Sequence, residues 1–181
     1  MQFECGPVGN HGGIAMYQTG DKVVYGSHGI CCVVGQETRV IDKRNVIYLV
    51  LEPMGQGAAR FYVPTHNQAA MGKLRRLLTR KELEDLLNSE KIRVDGWIRD
   101  ENQRKQTYRE LIGSGDREKL LNMIHTLYRH KDAQAAAGKK VHLCDENFLR
   151  DAEKLLIGEI AMSMEMEPTQ AKVYLRTHLM E

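Results

Sequence analysis

The chain has 181 residues, of which 42% are apolar and 28% charged, and its formal net charge at pH 7 is +2. This length suits one ordinary domain or two small ones, and the apolar fraction is enough for a core in either case. No uncharged apolar run reaches the ~18 residues of a membrane span, and the N-terminus lacks the basic start and apolar segment of a secretion signal. We therefore expect a cytoplasmic protein without a membrane partner.

The charge is unevenly distributed along the chain. Residues 16–80 carry nine Lys/Arg against four Asp/Glu and residues 93–140 carry eleven against seven, whereas residues 141–181 carry four against eight. The segment "GKLRRLLTRK", residues 72–81, has five basic residues in ten. This asymmetry is compatible both with a solvated basic face and with a surface for nucleic acid or an acidic partner.

The N-terminal half has the pattern of strands. From Val23 to Val63, β-branched and aromatic runs are separated by Gly, Asn and Asp, which predicts four or five short strands with no helix between them. "RVIDKRNVIYLV" predicts a hairpin that turns at residues 42–45, and Gly55 and Gly57 predict a second, looser one. A small antiparallel barrel or curled sheet follows from this pattern.

The pattern becomes helical after residue 64. Thr79 and Glu82 form a capping box ahead of an apolar stripe. Apolar residues at three- and four-residue spacing predict two further helices, around residues 117–130 and 148–164. The C-terminal half is therefore predicted to be a helical bundle.

Three signals predict where these helices begin and end. Gly113 is expected at the position just after a helix, with Ser114 or Asp116 as the next N-cap. Pro168 is expected to begin the last helix. Together, the patterns predict an α+β fold in three parts: a mobile leader at residues 1–15, a β-domain at 16–70 and an all-α domain at 71–181.

No catalytic or metal-binding pattern is found. The four cysteines, Cys5, Cys31, Cys32 and Cys144, show no CxxC pairing, so we interpret them as reduced structural residues. His28, in "YQTGDKVVYGSHGI", has no nucleophile, second histidine or acidic partner at a useful spacing, and the glycines around it lack the order of a phosphate-binding loop. We therefore predict a protein that is not an enzyme and uses no cofactor, metal or small-molecule substrate.

The single tryptophan, Trp97, lies in "RVDGWIRDENQRKQTYR", between two predicted helices and among cations. A lone tryptophan usually packs into a core. Here it follows a glycine at the edge of the bundle, so an exposed apolar wedge is the alternative interpretation.

Taken in order, "YQTGDKVVYGSHGI", "ETRVI", "YLVLEP", "FYVP", "DGWIRDENQRKQTYRELIGSGDREKLLNMIHTLYRHK" and "LCDENFLRDAEKLLIGEIAM" resemble the CarD family of bacterial transcription regulators. The resemblance extends over nearly the whole chain, from Met16 to Leu179. It implies an N-terminal Tudor-like barrel, shared with transcription-repair coupling factors, that binds the β subunit of RNA polymerase. It also implies a C-terminal helical domain that contacts promoter DNA.

The resemblance assigns the polymerase contacts to the β-domain. "ETRVI" matches the strand that contacts polymerase in the family, which implies roles for Arg39 and Ile41. The second contact falls on Tyr62, or on Arg60 two positions earlier on the same strand face. An exposed strand edge would pair with a strand of the partner, and the alternating side chains would set specificity.

The DNA contacts are assigned to the helical domain. Trp97 and Arg99 match the tryptophan and basic residue that enter the minor groove in the family. Arg104 and Lys105 are then expected to contact phosphates. Lys139 and Lys140 form a weaker second basic patch. Such contacts position a domain on DNA without reading its sequence.

The resemblance thus implies a monomeric regulator that stabilises the promoter open complex through minor-groove contacts at the upstream edge of the bubble. The alternative is a Tudor-like protein-protein interaction module joined to a structural helical bundle that makes no DNA contact.

Overall fold

The computed structural model describes residues 17–54, 59–94 and 96–181. The expected leader, and the looser hairpin predicted at Gly55 and Gly57, lie outside these residues. The chain divides into two compact units, the first ending at Arg76 and the second beginning at Leu77.

The first unit is a five-stranded antiparallel sheet, which confirms the β part of the predicted α+β fold. Its strands are β1 (Lys22–Tyr25), β2 (Ile30–Ile41), β3 (Arg44–Pro53), β4 (Phe61–Pro64) and β5 (Leu74–Arg76). They lie in the order β4-β3-β2-β1-β5. The core on one face of the sheet consists of Val23, Cys31, Val33, Leu49, Leu51, Val63 and Leu74.

Two features of this unit differ from the sequence prediction. Strands were predicted from Val23 to Val63, whereas a one-turn helix, α1 (Gln68–Met71), and a fifth strand, β5, follow that stretch. The side chain of Asn67 caps α1 by accepting a hydrogen bond from the amide of Ala70, at 3.0 Å. Because β5 pairs with β1, the sheet unit extends to Arg76, past the boundary predicted at residue 70.

The hairpin between β2 and β3 is confirmed. Asp42 and Lys43 form its two-residue turn, and both have positive φ, 49° and 63°. Positive φ at both turn residues is the geometry that fits the right-handed twist of the flanking strands. This turn fixes the pairing of the two longest strands in the sheet.

The second unit is the predicted helical bundle. Its helices are α2 (Arg80–Leu87), α3 (Glu101–Ser114), α4 (Arg117–Ala136), α5 (Leu143–Met164) and α6 (Pro168–Met180), with a 3₁₀ turn at Glu90–Ile92. The predicted apolar stripes of α4 and α5 are buried, except that Phe148 is only partly so. None of the helices in the described ranges has the length and apolar character needed to cross a membrane.

Most of the predicted helix ends are confirmed. Thr79 and Glu82 form the capping box, Asp116 caps α4, and Pro168 is the first residue of α6. The exception is Gly113, which lies inside α3. The residue after the helix is Gly115, whose φ is 63°. Helices commonly end with a glycine in this left-handed conformation.

Candidate functional site

A β-bulge in β2 determines which side chains the sheet presents to solvent. The register with β3 shifts between Val33 and Gly35. Before the bulge, odd-numbered residues such as Val33 face the core, whereas after it the buried Leu49 stands opposite an even-numbered residue of β2. Arg39 and Ile41, which are odd-numbered, therefore lie on the face opposite to Leu49.

Arg39 and Tyr62, assigned from separate motifs, are in contact on this face. The guanidinium carbon of Arg39 lies 3.9 Å from the centroid of the Tyr62 ring and 5.9 Å from that of Tyr48. Its Nε donates a 2.9 Å hydrogen bond to Glu37, which raises the pKa of Arg39. The tyrosine ring and the carboxylate therefore hold an exposed cation in a defined position.

The other two predicted contacts lie at opposite ends of the same face. Ile41 is 45% exposed and pairs with Arg44 at the turn. Arg60 immediately precedes β4, where its Nε lies 3.8 Å from a carboxylate oxygen of Glu52. At about 3.3 Å per residue along β3, the two ends are ~25 Å apart. A partner would have to be extended along the strands to contact both.

One edge of β2 is open over its second half. β1 pairs with β2 only at residues 30–32, and no other described strand pairs with that edge beyond the bulge. The paired strand segments 37–41 and 44–48 form an arm. On the face opposite to Arg39, this arm exposes Val40 (70%) and Ile47 (45%). An unpaired edge flanked by exposed apolar side chains is suited to adding a strand from a partner.

In the helical unit, Trp97 lies in the segment between the 3₁₀ turn and α3. Its indole is partly exposed and packs against the core of the bundle. It stacks on His130 of α4, with ring centroids 3.5 Å apart and planes 11° from parallel, and the guanidinium carbon of Arg104 lies 4.4 Å from its centroid. Burial lowers the pKa of His130, and the charge of Arg104 lowers it further while Asp145 opposes the shift.

The structure corrects the predicted role of Arg104. The residue is 3% exposed, and its guanidinium forms a bidentate ion pair with Asp145, with Nε to Oδ1 at 2.9 Å and Nη2 to Oδ2 at 3.1 Å. Its remaining nitrogen, Nη1, donates to the carbonyl oxygen of Ile98 at 2.9 Å. Arg104 is thus a buried support of the Trp97 segment and is not placed to contact a phosphate.

The remaining predicted cations are at the surface. Arg99 is exposed, and Lys139 and Lys140 are exposed in the connection between α4 and α5. Lys105 is partly exposed and forms an ion pair with Glu101, one turn earlier on α3. Such exposed pairs are weak in water, so a phosphate can compete for Lys105.

These cations share one end of the helical unit with the tryptophan. Trp97 contacts His130 in the C-terminal half of α4, and Arg104 joins the first turn of α3 to Asp145 in the first turn of α5. The start of α3, the end of α4 and the start of α5 are therefore adjacent. This end of the unit, with an aromatic ring among basic side chains, is the candidate nucleic-acid interface.

Neither His130 nor Asp145 was predicted from the sequence as part of this site. An aspartate in the first turn of a helix is usually explained by the helix dipole. Asp145 is 41 residues from Arg104, and no local pattern indicates that the two residues meet.

His28 packs against aromatic rings and Cys31 is buried in the core of the sheet unit. The ring of His28 lies in a 3₁₀ turn and packs on Tyr25 and Phe61, with centroids 5.3 and 4.4 Å away. Burial and the neighbouring Cys32 raise the pKa of Cys31 to about 11, so its thiol is protonated at neutral pH. The protonated thiol agrees with the structural role predicted for Cys31, and His28 is part of a turn.

Two family models match the chain, and they meet at the boundary between the units. Residues 17–78 match the CarD-like/TRCF RID domain. Residues 76–176, more than half of the chain, match the CarD C-terminal domain. Both matches confirm the resemblance seen in the sequence. The chain therefore belongs to the CarD family of transcription-associated regulators, and RNA polymerase is the partner that this membership indicates.

Proposed function

We propose that this protein binds the β subunit of RNA polymerase through its sheet unit and stabilises the promoter open complex through its helical unit. The observation that carries the proposal is the position of Trp97, partly exposed at the cationic end of the bundle. The protein is proposed to act as a monomer in the cytoplasm.

On the polymerase side, the arm supplies two kinds of contact. The open edge of β2 offers backbone groups to a strand of the β subunit. Arg39, held over Tyr62, offers a cation to a carboxylate of the partner, and Ile41 and Arg60 extend the contact toward the two ends of the face. Backbone pairing would supply affinity, and these side chains would supply specificity.

On the DNA side, Trp97 and Arg99 are proposed to enter the minor groove at the upstream edge of the bubble. Lys105, Lys139 and Lys140 would contact phosphates. Arg104 does not contact phosphate in this proposal, because its side chain is buried and paired with Asp145. Phosphate contacts of this kind orient a domain on DNA independently of base sequence.

Tethering to polymerase would make a weak DNA contact effective. The sheet unit would hold the helical unit near the promoter at a high effective concentration. An inserted ring unstacks a base step, which costs a few kcal/mol in intact duplex, so insertion is favoured where the strands have already parted. Binding the open state better by about 1.4 kcal/mol would shift the equilibrium roughly tenfold toward it.

A promoter-melting assay with purified polymerase tests this function. A fluorescent base at the upstream edge of the bubble reports opening, with and without the protein. The proposal predicts a larger melted fraction with the protein and no gain with R39E, which should fail to bind polymerase. An unchanged melted fraction with the intact protein, under conditions where it binds polymerase, would refute the proposal.

A further inference from the structure

The Trp97 segment is held by polar contacts on both sides of the tryptophan. Before it, the amide of Gly96 donates to Oγ1 of Thr126 at 3.3 Å. After it, the carbonyl oxygens of Ile98 and Arg99 accept from Nη1 of Arg104 at 2.9 and 3.4 Å. The segment has no regular secondary structure over residues 96–99, so these side chains fix its path.

Arg104 can hold this path because Asp145 fixes its guanidinium. The two side chains are 4% and 0% exposed, and the paired nitrogens are separate from the one that binds the two carbonyl groups. The same guanidinium lies over the indole. One buried group therefore joins α3, α5, the backbone after the tryptophan and the tryptophan ring.

Stability alone is a weak explanation for this ion pair. Removing two charges from water is costly, and apolar residues of similar size often stabilise a protein as well as a buried pair does. A buried pair that binds backbone in an irregular segment instead selects one conformation of that segment. A contact residue that is already fixed in the free protein loses less conformational entropy when the protein binds its partner.

We propose that Asp145, acting through Arg104, is a positioning residue that sets the conformation of Trp97 for its contact with DNA. The contact between the fixed Trp97 ring and DNA rests on the proposed function. The fixing of the ring by Asp145 and Arg104 does not depend on that function. Trp97 is the only tryptophan of the chain, so the fluorescence of the protein reports on this ring alone.

The first variant is D145N, with D151N as its control, because Asp151 is an exposed aspartate on the same helix. D145N leaves a buried Arg104 poorly neutralised and can unfold the bundle. The second variant, R104M/D145L, removes both charges together and so avoids an uncompensated ion. Circular dichroism and a melting curve establish that a variant is folded before its fluorescence is read.

In folded R104M/D145L, we expect Trp97 emission at longer wavelength and stronger quenching by acrylamide than in the intact protein or in D151N. Loss of one fixed side-chain conformation should also shorten the open-complex lifetime about three- to tenfold, with polymerase binding unchanged. Emission and quenching equal to those of the intact protein would overturn the proposal.

The lifetime measurement separates this proposal from the function on which it rests. If W97A shortens the lifetime but folded R104M/D145L does not, the DNA contact does not depend on this conformation of Trp97, so the proposal is refuted in that part and the proposed function stands. If W97A leaves the lifetime unchanged, the proposed function fails. In that second case, a changed emission spectrum in folded R104M/D145L would still show that Asp145 and Arg104 position the ring.

Discussion

The indole of Trp97 stacks on the imidazole of His130, with ring centroids 3.5 Å apart and planes 11° from parallel. His130 also lies near the charges of Arg104 on α3, Asp145 on α5 and His142 just before α5. Because burial dominates these influences, the pKa of His130 is lowered, and the stack holds a neutral imidazole at neutral pH.

This relationship predicts a pH dependence of Trp97 fluorescence. The unfolded chain binds a proton at His130 near the ordinary value of about 6.5, while the folded chain binds it at lower pH. The stability contributed by the neutral ring is therefore complete above ~6.5 and is lost as the pH falls through the lowered folded pKa. Tryptophan emission should titrate below the ordinary histidine range.

The control for this titration is H130N, which removes the ionisable ring and leaves the other histidines in place. Its emission should lack the transition. A transition that persists in H130N, or one whose midpoint lies at or above the ordinary histidine pKa, would contradict the assignment.

Arg39 provides a prediction for the sheet unit. In R39K the charge remains, but the planar group that lies on Tyr62 is lost. We expect both R39K and R39A to weaken binding to a polymerase β fragment, with R39A losing about 1–2 kcal/mol, or roughly five- to thirtyfold. Titration calorimetry with K22A as the control measures this, since Lys22 is an exposed cation on β1. Equal affinity of R39A and the intact protein would exclude Arg39 from the interface.

The two exposed lysines between α4 and α5 predict a change in salt dependence. If each contacts one phosphate, K139A/K140A should reduce the slope of log affinity against log salt by about 1.8 on duplex DNA. K119A is the matched control, because Lys119 lies at the opposite end of α4. An unchanged slope in K139A/K140A would place these lysines away from the DNA.

Glu159 of α5 is a buried carboxylate whose removal should destabilise the helical unit. It is 1% exposed, and it accepts hydrogen bonds from Arg117 at 2.5 and 2.9 Å and from the amide of Leu78 at 3.1 Å. E159A leaves these donors without that acceptor, so the free energy of unfolding should fall by about 3–5 kcal/mol. Urea denaturation measures the loss.

The matched control for E159A is E110A, which removes an exposed glutamate on α3. Its effect should be within about 0.5 kcal/mol. A similar small loss in E159A would show that the buried carboxylate contributes little.

The features predicted correctly from the sequence are mainly local ones. The capping box is determined by residues within a span of four, Thr79 to Glu82. The hairpin turn is determined by two adjacent residues, Asp42 and Lys43. The buried stripes of α4 and α5 follow from the helical period. Local chemistry and periodicity were therefore sufficient for most of the elements and for the α+β class, but not for α1, β5 or the end of α3.

The unpredicted features depend on partners that are distant in sequence. The bulge between Val33 and Gly35 is defined only by the pairing of β2 with β3, yet it turns Arg39 outward. The burial of Arg104 depends on Asp145, 41 residues away. A cation near a tryptophan thus indicated a phosphate contact, whereas tertiary structure made it an internal support.

We propose that Trp97 stabilises the open complex while a separate surface binds polymerase. The most direct measurement is the half-life of open complexes after challenge with a competitor, comparing the intact protein with W97A at concentrations that saturate polymerase. A loss of about 1.4 kcal/mol of differential binding would shorten the half-life roughly tenfold, with polymerase affinity unchanged. Equal half-lives for the two proteins would contradict a role of Trp97 in stabilising the open complex.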